Sequence, residues 1–227
     1  MANTESKLWH LEQVNLLKEL SPEELQKVSD VITMKVEKKG KYIYFPQEPS
    51  QVIFFLKAGR VKIGSYSDDG KEIIKTIVHP GEVFGEMGIV GQENRKDFAM
   101  AMDDEVRICA ITVDEIKEMM SQIPHLSFAV TKVIGERLIK VERKLESMVF
   151  KDVRTRLVDF LKDSAIDHGK KIGYEVLIQH NLTHQDMANL IATSRQTVTT
   201  ILNDLKEQDL IYMERNKILI RDLSKLK

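Results

Sequence analysis

The stretch Ser194-Arg195-Gln196-Thr197-Val198-Thr199-Thr200-Ile201-Leu202-Asn203-Asp204-Leu205 sorts its side chains at helical spacing. Val198, Ile201, Leu202 and Leu205 share one face, while Arg195, Gln196, Thr199 and Thr200 point the other way from the first turns. That polar set can bond to flat polar edges. A guanidinium offers paired donors that match O6 and N7 of guanine, and a carboxamide can pair bidentately with adenine. Short hydroxyls, Ser194 among them, reach phosphate oxygens or a thymine methyl. The positive end of the helix dipole suits a nearby phosphate.

The flanking residues must position this face. Leu182-Thr183-His184-Gln185-Asp186 opens an earlier helix, with Thr183 and Asp186 spaced as a capping box. Met187, Leu190 and Ile191 give it an inward side, and Ala192-Thr193 breaks it. Thr183 and Gln185 therefore join the candidate contacts. Glu175–Gln179 reads as a strand, and Leu210–Met213 with Ile218–Ile220 as a hairpin. The hairpin tip carries Arg215 and Lys217, suited to backbone phosphates. The pattern predicts a winged helix-turn-helix over residues 150–227 that binds double-stranded DNA. A helical hairpin that merely packs is the plainer alternative; the polar first turn and basic tip weigh against it.

Upstream, Pro124 starts a long helix. Val130, Ile134, Leu138, Val141, Leu145 and Met148 recur at steps of four, four, three, four and three. A narrow apolar seam between charges of both signs predicts a two-stranded coiled coil, so residues 122–149 read as a dimerisation helix of a homodimer. A helix packed on its own domain is the alternative. From Thr33 to Val113 the period is two, with turn formers between short runs, which predicts a β-roll or sandwich. Lys62–Ile77 is the clearest hairpin, with Asp69-Gly70 at its tip. Asp114-Glu115-Ile116-Lys117 opens a short helix. Ser21-Pro22-Glu23-Glu24 starts another, and residues 1–20 read as a helix with Leu8, Leu11 and Leu16 or Leu17 on its apolar side. Residues 1–121 then form one domain, and the fold class is α+β.

Composition bounds the function. Net charge is −1, with 42% hydrophobic and 30% charged residues, ordinary for a folded soluble chain and unlike a charge-driven nucleic-acid coat. The single cysteine, Cys109, excludes an internal disulfide and a four-cysteine iron–sulfur cluster within one chain. It lies in an apolar strand, as a core thiol does. No apolar run approaches ~20 residues and Met1 to Trp9 is polar, so the expectation is a cytoplasmic protein without a membrane partner.

Three motifs extend the interpretation. Leu182–Leu205, Pro80-Gly81-Glu82-Val83-Phe84-Gly85-Glu86-Met87-Gly88 and Phe150-Lys151-Asp152-Val153-Arg154-Thr155-Arg156-Leu157 together resemble the cyclic-AMP receptor protein/FNR family of bacterial regulators. The resemblance implies a cyclic-nucleotide-binding-like jelly roll, a long dimerising helix and a winged helix, with RNA polymerase as a further partner. It implies that Arg195 reads a guanine in each half of a roughly palindromic site. Gln196 stands where many members carry Glu, and Thr200 where the cyclic-AMP receptor protein has Arg, so the preferred bases should differ.

The resemblance also implies an effector cassette at Gly85, Glu86, Met87 and Gly88, with Glu86 in the ribose role and Arg95 on a phosphate. The cassette is incomplete. Lys96 replaces a small hydroxyl residue, Asp97 brings a negative charge, and Val141 and Glu142 stand where the cyclic-AMP receptor protein has Thr-Ser. A cyclic nucleotide, another small ligand, and no effector at all stay open. Two rivals complete the set. A nucleotide-binding module without DNA binding lacks a reason for the C-terminal helices. A cupin-type metalloenzyme needs several histidines in the roll, where only His79 occurs. Neither metal ligands nor catalytic residues are assigned.

Overall fold

The computed structural model describes residues 14–18 and 20–226. The predicted first helix lies largely outside them, Leu8 and Leu11 included. Leu16 and Leu17 fall in a 3-10 turn, Asn15–Leu17, and are buried. Helix α1 (Pro22–Val31) begins where the Ser-Pro-Glu-Glu signal stands: Ser21 accepts from the Glu24 amide, and the Glu24 carboxylate accepts from the Ser21 amide at 2.7 Å.

The period-two region forms β1 (Thr33–Glu37), β2 (Tyr42–Tyr44), β3 (Val52–Ala58), β4 (Val61–Tyr66), β5 (Glu72–Val78), β6 (Val83–Phe84), β7 (Phe98–Ala101) and β8 (Val106–Thr112). They make two antiparallel four-stranded sheets, ordered β1-β8-β3-β6 and β2-β7-β4-β5. The β3–β8 pair is covered on both faces, which explains its unbroken apolar run Val52-Ile53-Phe54-Phe55-Leu56. Register Phe54↔Ala110 and Leu56↔Ile108 feeds the core between the sheets. Register Ile53↔Ile111 and Phe55↔Cys109 feeds a second core under the helices. Cys109 is buried there and forms no disulfide.

Helices α2 (Val113–Gln122) and α3 (Pro124–Phe150) follow. Thr112 and Glu115 form a capping box at the start of α2. The seam read along α3 is corrected at its first position. Val130 is buried with Ile53, Ile116 and Leu126 in the helix-side core of its own chain, and Ile134 packs against the same core half-buried. These first turns cover the roll, so Val130 cannot also face a partner. Leu138, Val141, Leu145 and Met148 are exposed. The chain divides into two compact units at Ile139–Lys140, inside α3 and not at either end of it.

The second unit begins with the rest of α3, followed by α4 (Val153–His168), whose N-cap Asp152 accepts from the Thr155 amide at 2.7 Å. Strands β9 (Lys170–Ile172) and β10 (Glu175–Gln179), helices α5 (His184–Ile191) and α6 (Arg195–Glu207), and strands β11 (Ile211–Glu214) and β12 (Lys217–Ile220) complete it. The sheet order is β11-β12-β10-β9. Strand β9 is an addition to the sequence pattern, which marks only β10. Leu157, Leu161, Val176, Met187, Leu202 and Ile218 centre the core of this unit. Among the described residues no helix is long and apolar enough to cross a membrane.

Gly88 shows how tightly the roll is fitted. A Cβ there would overlap the Ser50 carbonyl oxygen and stand 2.8 Å from Val113 Cγ2. Gly88→Ala should therefore lower stability by about 1–3 kcal/mol in urea unfolding. Gly135→Ala, inside α3 with nothing within 4 Å of the new carbon, should raise it by about 0.5–1 kcal/mol. Equal effects of the two changes would contradict this packing.

Candidate nucleic-acid interface

Helix α6 buries Val198, Leu202 and Leu205 completely. A helix fixed on that side turns its first-turn polar residues outward, and Arg195, Gln196 and Thr200 are exposed. The Arg195 guanidinium has no partner among the described residues, so its donors remain available. Ser194 caps the helix, its Oγ accepting from the Thr197 amide at 3.1 Å. Thr199 stands apart from its neighbours. It is half-buried, lies 2.9 Å from His184 Nδ1, and donates to the Arg195 carbonyl at 2.9 Å. Its hydroxyl is engaged behind the polar face.

At the start of α5, Thr183 is exposed and caps the helix: its Oγ1 accepts from the Asp186 amide at 3.0 Å, and Asp186 accepts from the Thr183 amide at 2.9 Å. Gln185 is exposed and donates to Asn189 Oδ1 at 2.8 Å. The β11–β12 hairpin turns at Arg215-Asn216, and Arg215 and Lys217 are exposed beside the turn. Asn216 sits at φ +62°, a conformation asparagine tolerates, and its carbonyl accepts from the His180 amide at 2.9 Å. The tip is thereby tied back to the end of β10.

Two arginines that spacing alone did not mark brace the motif. Arg156 donates from Nε to the Ile191 carbonyl at 3.1 Å and from Nη1 to the Lys151 carbonyl at 2.8 Å. A cation thus sits on the last carbonyls of α5, at the negative end of its dipole. Arg154 pairs with Asp204 of α6, and that hydrogen bond holds the Asp204 carboxyl below the usual carboxylate range. Arg154 and Asp204 are 50 residues apart, so no local pattern could announce the pair.

The cassette residues are used differently. Arg95 is 3% exposed; Nη1 donates to the Gly85 carbonyl at 2.7 Å and Nη2 to the Val52 carbonyl. Its guanidinium lies 4.4 Å from the Tyr44 ring centroid. Tyr44, Phe54 and Phe84 stack behind it, with Phe54 and Phe84 centroids 5.0 Å apart. Glu86 is buried, with Oε1 paired to Arg137 and Oε2 unpartnered. A small void lined by Glu86, Ile53, Ile89 and Val130 has room for about one water. Asp97 pairs with Lys75 at 3.1 Å, and Lys96 is exposed. Gly85 is explained by the fold: it sits at φ +76°, and a Cβ would come 2.9 Å from Arg95 Nη1. Met87 is exposed on the same turn. Val141 and Glu142 are exposed on α3. These residues do not fit a cyclic phosphate. The fork that would grip it is bonded to two carbonyls, and aromatic rings fill the space against it. Among the described residues no three of His, Cys, Asp and Glu gather in a metal-holding group.

Comparison with known proteins matches residues 35–123 to the family described as cyclic nucleotide-binding domain, and residues 155–227 to the Crp-like helix-turn-helix domain. The chain is 29% identical to the CRP-like cAMP-activated global transcriptional regulator of Mycobacterium tuberculosis over 188 residues, covering 83% of this chain and 84% of that one. It is 28% identical to the global nitrogen regulator of Synechocystis sp. over 185 residues, covering 81% and 82%. Among solved structures, a CooA mutant from Carboxydothermus hydrogenoformans superposes with a TM-score of 0.77 at 25% identity, covering 94% of this chain and 93% of that one.

Cyclic AMP or cyclic GMP at millimolar concentration should leave the melting temperature unchanged, whereas a ligand at a hundredfold its Kd adds about 2.7 kcal/mol. Arg95→Met should destabilise by about 1–3 kcal/mol for each carbonyl it strands. A dose-dependent rise in melting temperature that disappears in Arg95→Met would return Arg95 to a phosphate role.

Proposed function

The chain belongs to the Crp/Fnr family of DNA-binding transcription regulators, and from that premise we propose that it acts as a homodimer on a roughly palindromic duplex site. The observation that carries the proposal is the exposed set Arg195, Gln196 and Thr200 on the first turns of α6, opposite a fully buried apolar face. Arg195 donates bidentately to guanine O6 and N7 in each half-site, and Gln196 and Thr200 select neighbouring bases. Ser194, Thr183 and Gln185 lie on the phosphates beside them, with the wing residues Arg215 and Lys217 on the adjoining backbone. Thr199 supports the set from behind.

Leu138, Val141, Leu145 and Met148 supply the dimer contact, because four exposed apolar side chains at seam spacing on one helix need a cover. The roll regulates without a cyclic nucleotide, since Arg95 is committed to the Gly85 and Val52 carbonyls. In the cytoplasm such a dimer would meet RNA polymerase at its promoters.

Selection of bound fragments from the source genome, followed by gel shift at fixed salt, tests the proposal. Arg195→Ala should lose about 1–3 kcal/mol of discrimination in each half-site while the dimer stays folded. Full retention of operator preference by that variant would refute the assignment. Val141→Asp should convert the dimer to monomer in sedimentation velocity; a wild-type chain that sediments as a monomer at micromolar concentration would remove the seam.

A further inference from the structure

Deepening that reading, and resting on it, we propose that His184 is the positioning residue that sets the base-reading face of α6 against the start of α5. His184 is the first residue of α5, directly after the Thr183 cap, and it is half-buried. Its Nδ1 lies 2.9 Å from Thr199 Oγ1, one turn into α6. The Thr199 hydroxyl has a single proton, and we assign it to the carbonyl of Arg195, 2.9 Å away and one helical turn back. With that assignment the oxygen accepts from His184 and the imidazole carries its proton on Nδ1. The chain of donors runs from the His184 Nδ1–H to the Thr199 hydroxyl and on to the carbonyl of Arg195. It ends on the backbone of the residue whose side chain reads guanine.

The link matters because the two helices have different tasks on the duplex. The start of α5 carries Thr183 and Gln185 for the phosphates, and the start of α6 carries Arg195 and Gln196 for the bases. Phosphate contacts fix register, and base contacts are made only if that register holds. Arg154 to Asp204 and the Ser194 cap also brace α6, but neither joins its first turns to the first turn of α5. His184 does. A misplacement of a base-reading guanidinium by a fraction of an ångström weakens both of its hydrogen bonds, while phosphate contacts tolerate it.

The test compares operator DNA with non-operator DNA at the same salt, alongside thermal melting of each variant. His184→Ala should lower the ratio of operator to non-operator affinity about tenfold and leave non-operator affinity unchanged. His184→Asn, whose Nδ2–H occupies the place of the Nδ1–H, should restore the ratio; His184→Phe should not. Thr199→Val removes the acceptor, and combining it with His184→Ala should cost no more than the larger single loss. A ratio unchanged in a folded His184→Ala protein would overturn the proposal. So would an equal loss on both DNAs, which marks a phosphate contact, or failure of His184→Asn to rescue. A wild-type chain with no operator preference would instead sink the DNA-binding reading.

Discussion

A helix that buries Val198, Leu202 and Leu205 completely has no choice about which side it shows to its surroundings. That burial is the constraint on which the second unit is arranged. Each of those side chains gains about 1.5–3 kcal/mol by leaving water, far more than a rotated helix could recover by hiding Arg195. Everything polar at the start of α6 is displayed by default. The capping serine, the Arg154–Asp204 pair and the His184–Thr199 bond then refine a direction that hydrophobic packing has already chosen.

The roll illustrates the opposite case, where residues of a recognisable ligand motif are absorbed by the fold. Gly88 is required by the Ser50 carbonyl, Gly85 by its left-handed turn, and Arg95 by two strand-end carbonyls. Burial pulls the Arg95 guanidinium below the usual arginine value, with Tyr44, Asp97 and Glu86 acting against that shift. Residues 35–123 match the cyclic nucleotide-binding domain family, and within that architecture the cassette arginine is bonded to the fold itself. What the cassette can hold depends on which of its donors are left over.

Local features were legible from the residues. The helix start at Ser21, the capping box at Thr183, the hairpin around Asp69-Gly70, strand β10 and the outward face of α6 all follow from patterns within a few positions. Pairs brought together by topology were not. Glu86 and Arg137 stand 51 residues apart and Arg154 and Asp204 stand 50 apart, and nothing in spacing marks one as the partner of the other. The seam misled at Val130 for a related reason. A helix that passes from covering its own roll to an exposed stretch keeps one apolar period throughout, so periodicity cannot say where one cover ends and the next begins. Thr199 falls outward on the same helical wheel, yet a hydroxyl at the margin of a face can rotate to an internal partner.

The placement of Cys109 carries a last implication. Opposite Phe55 in the β3–β8 pair, its side chain is buried in the helix-side core of the native chain. Reaction must wait for the roll to open, so its rate measures how often that opening occurs. Modification of this thiol is thus gated by the breathing of the roll, and the sulfur records lost integrity of the domain.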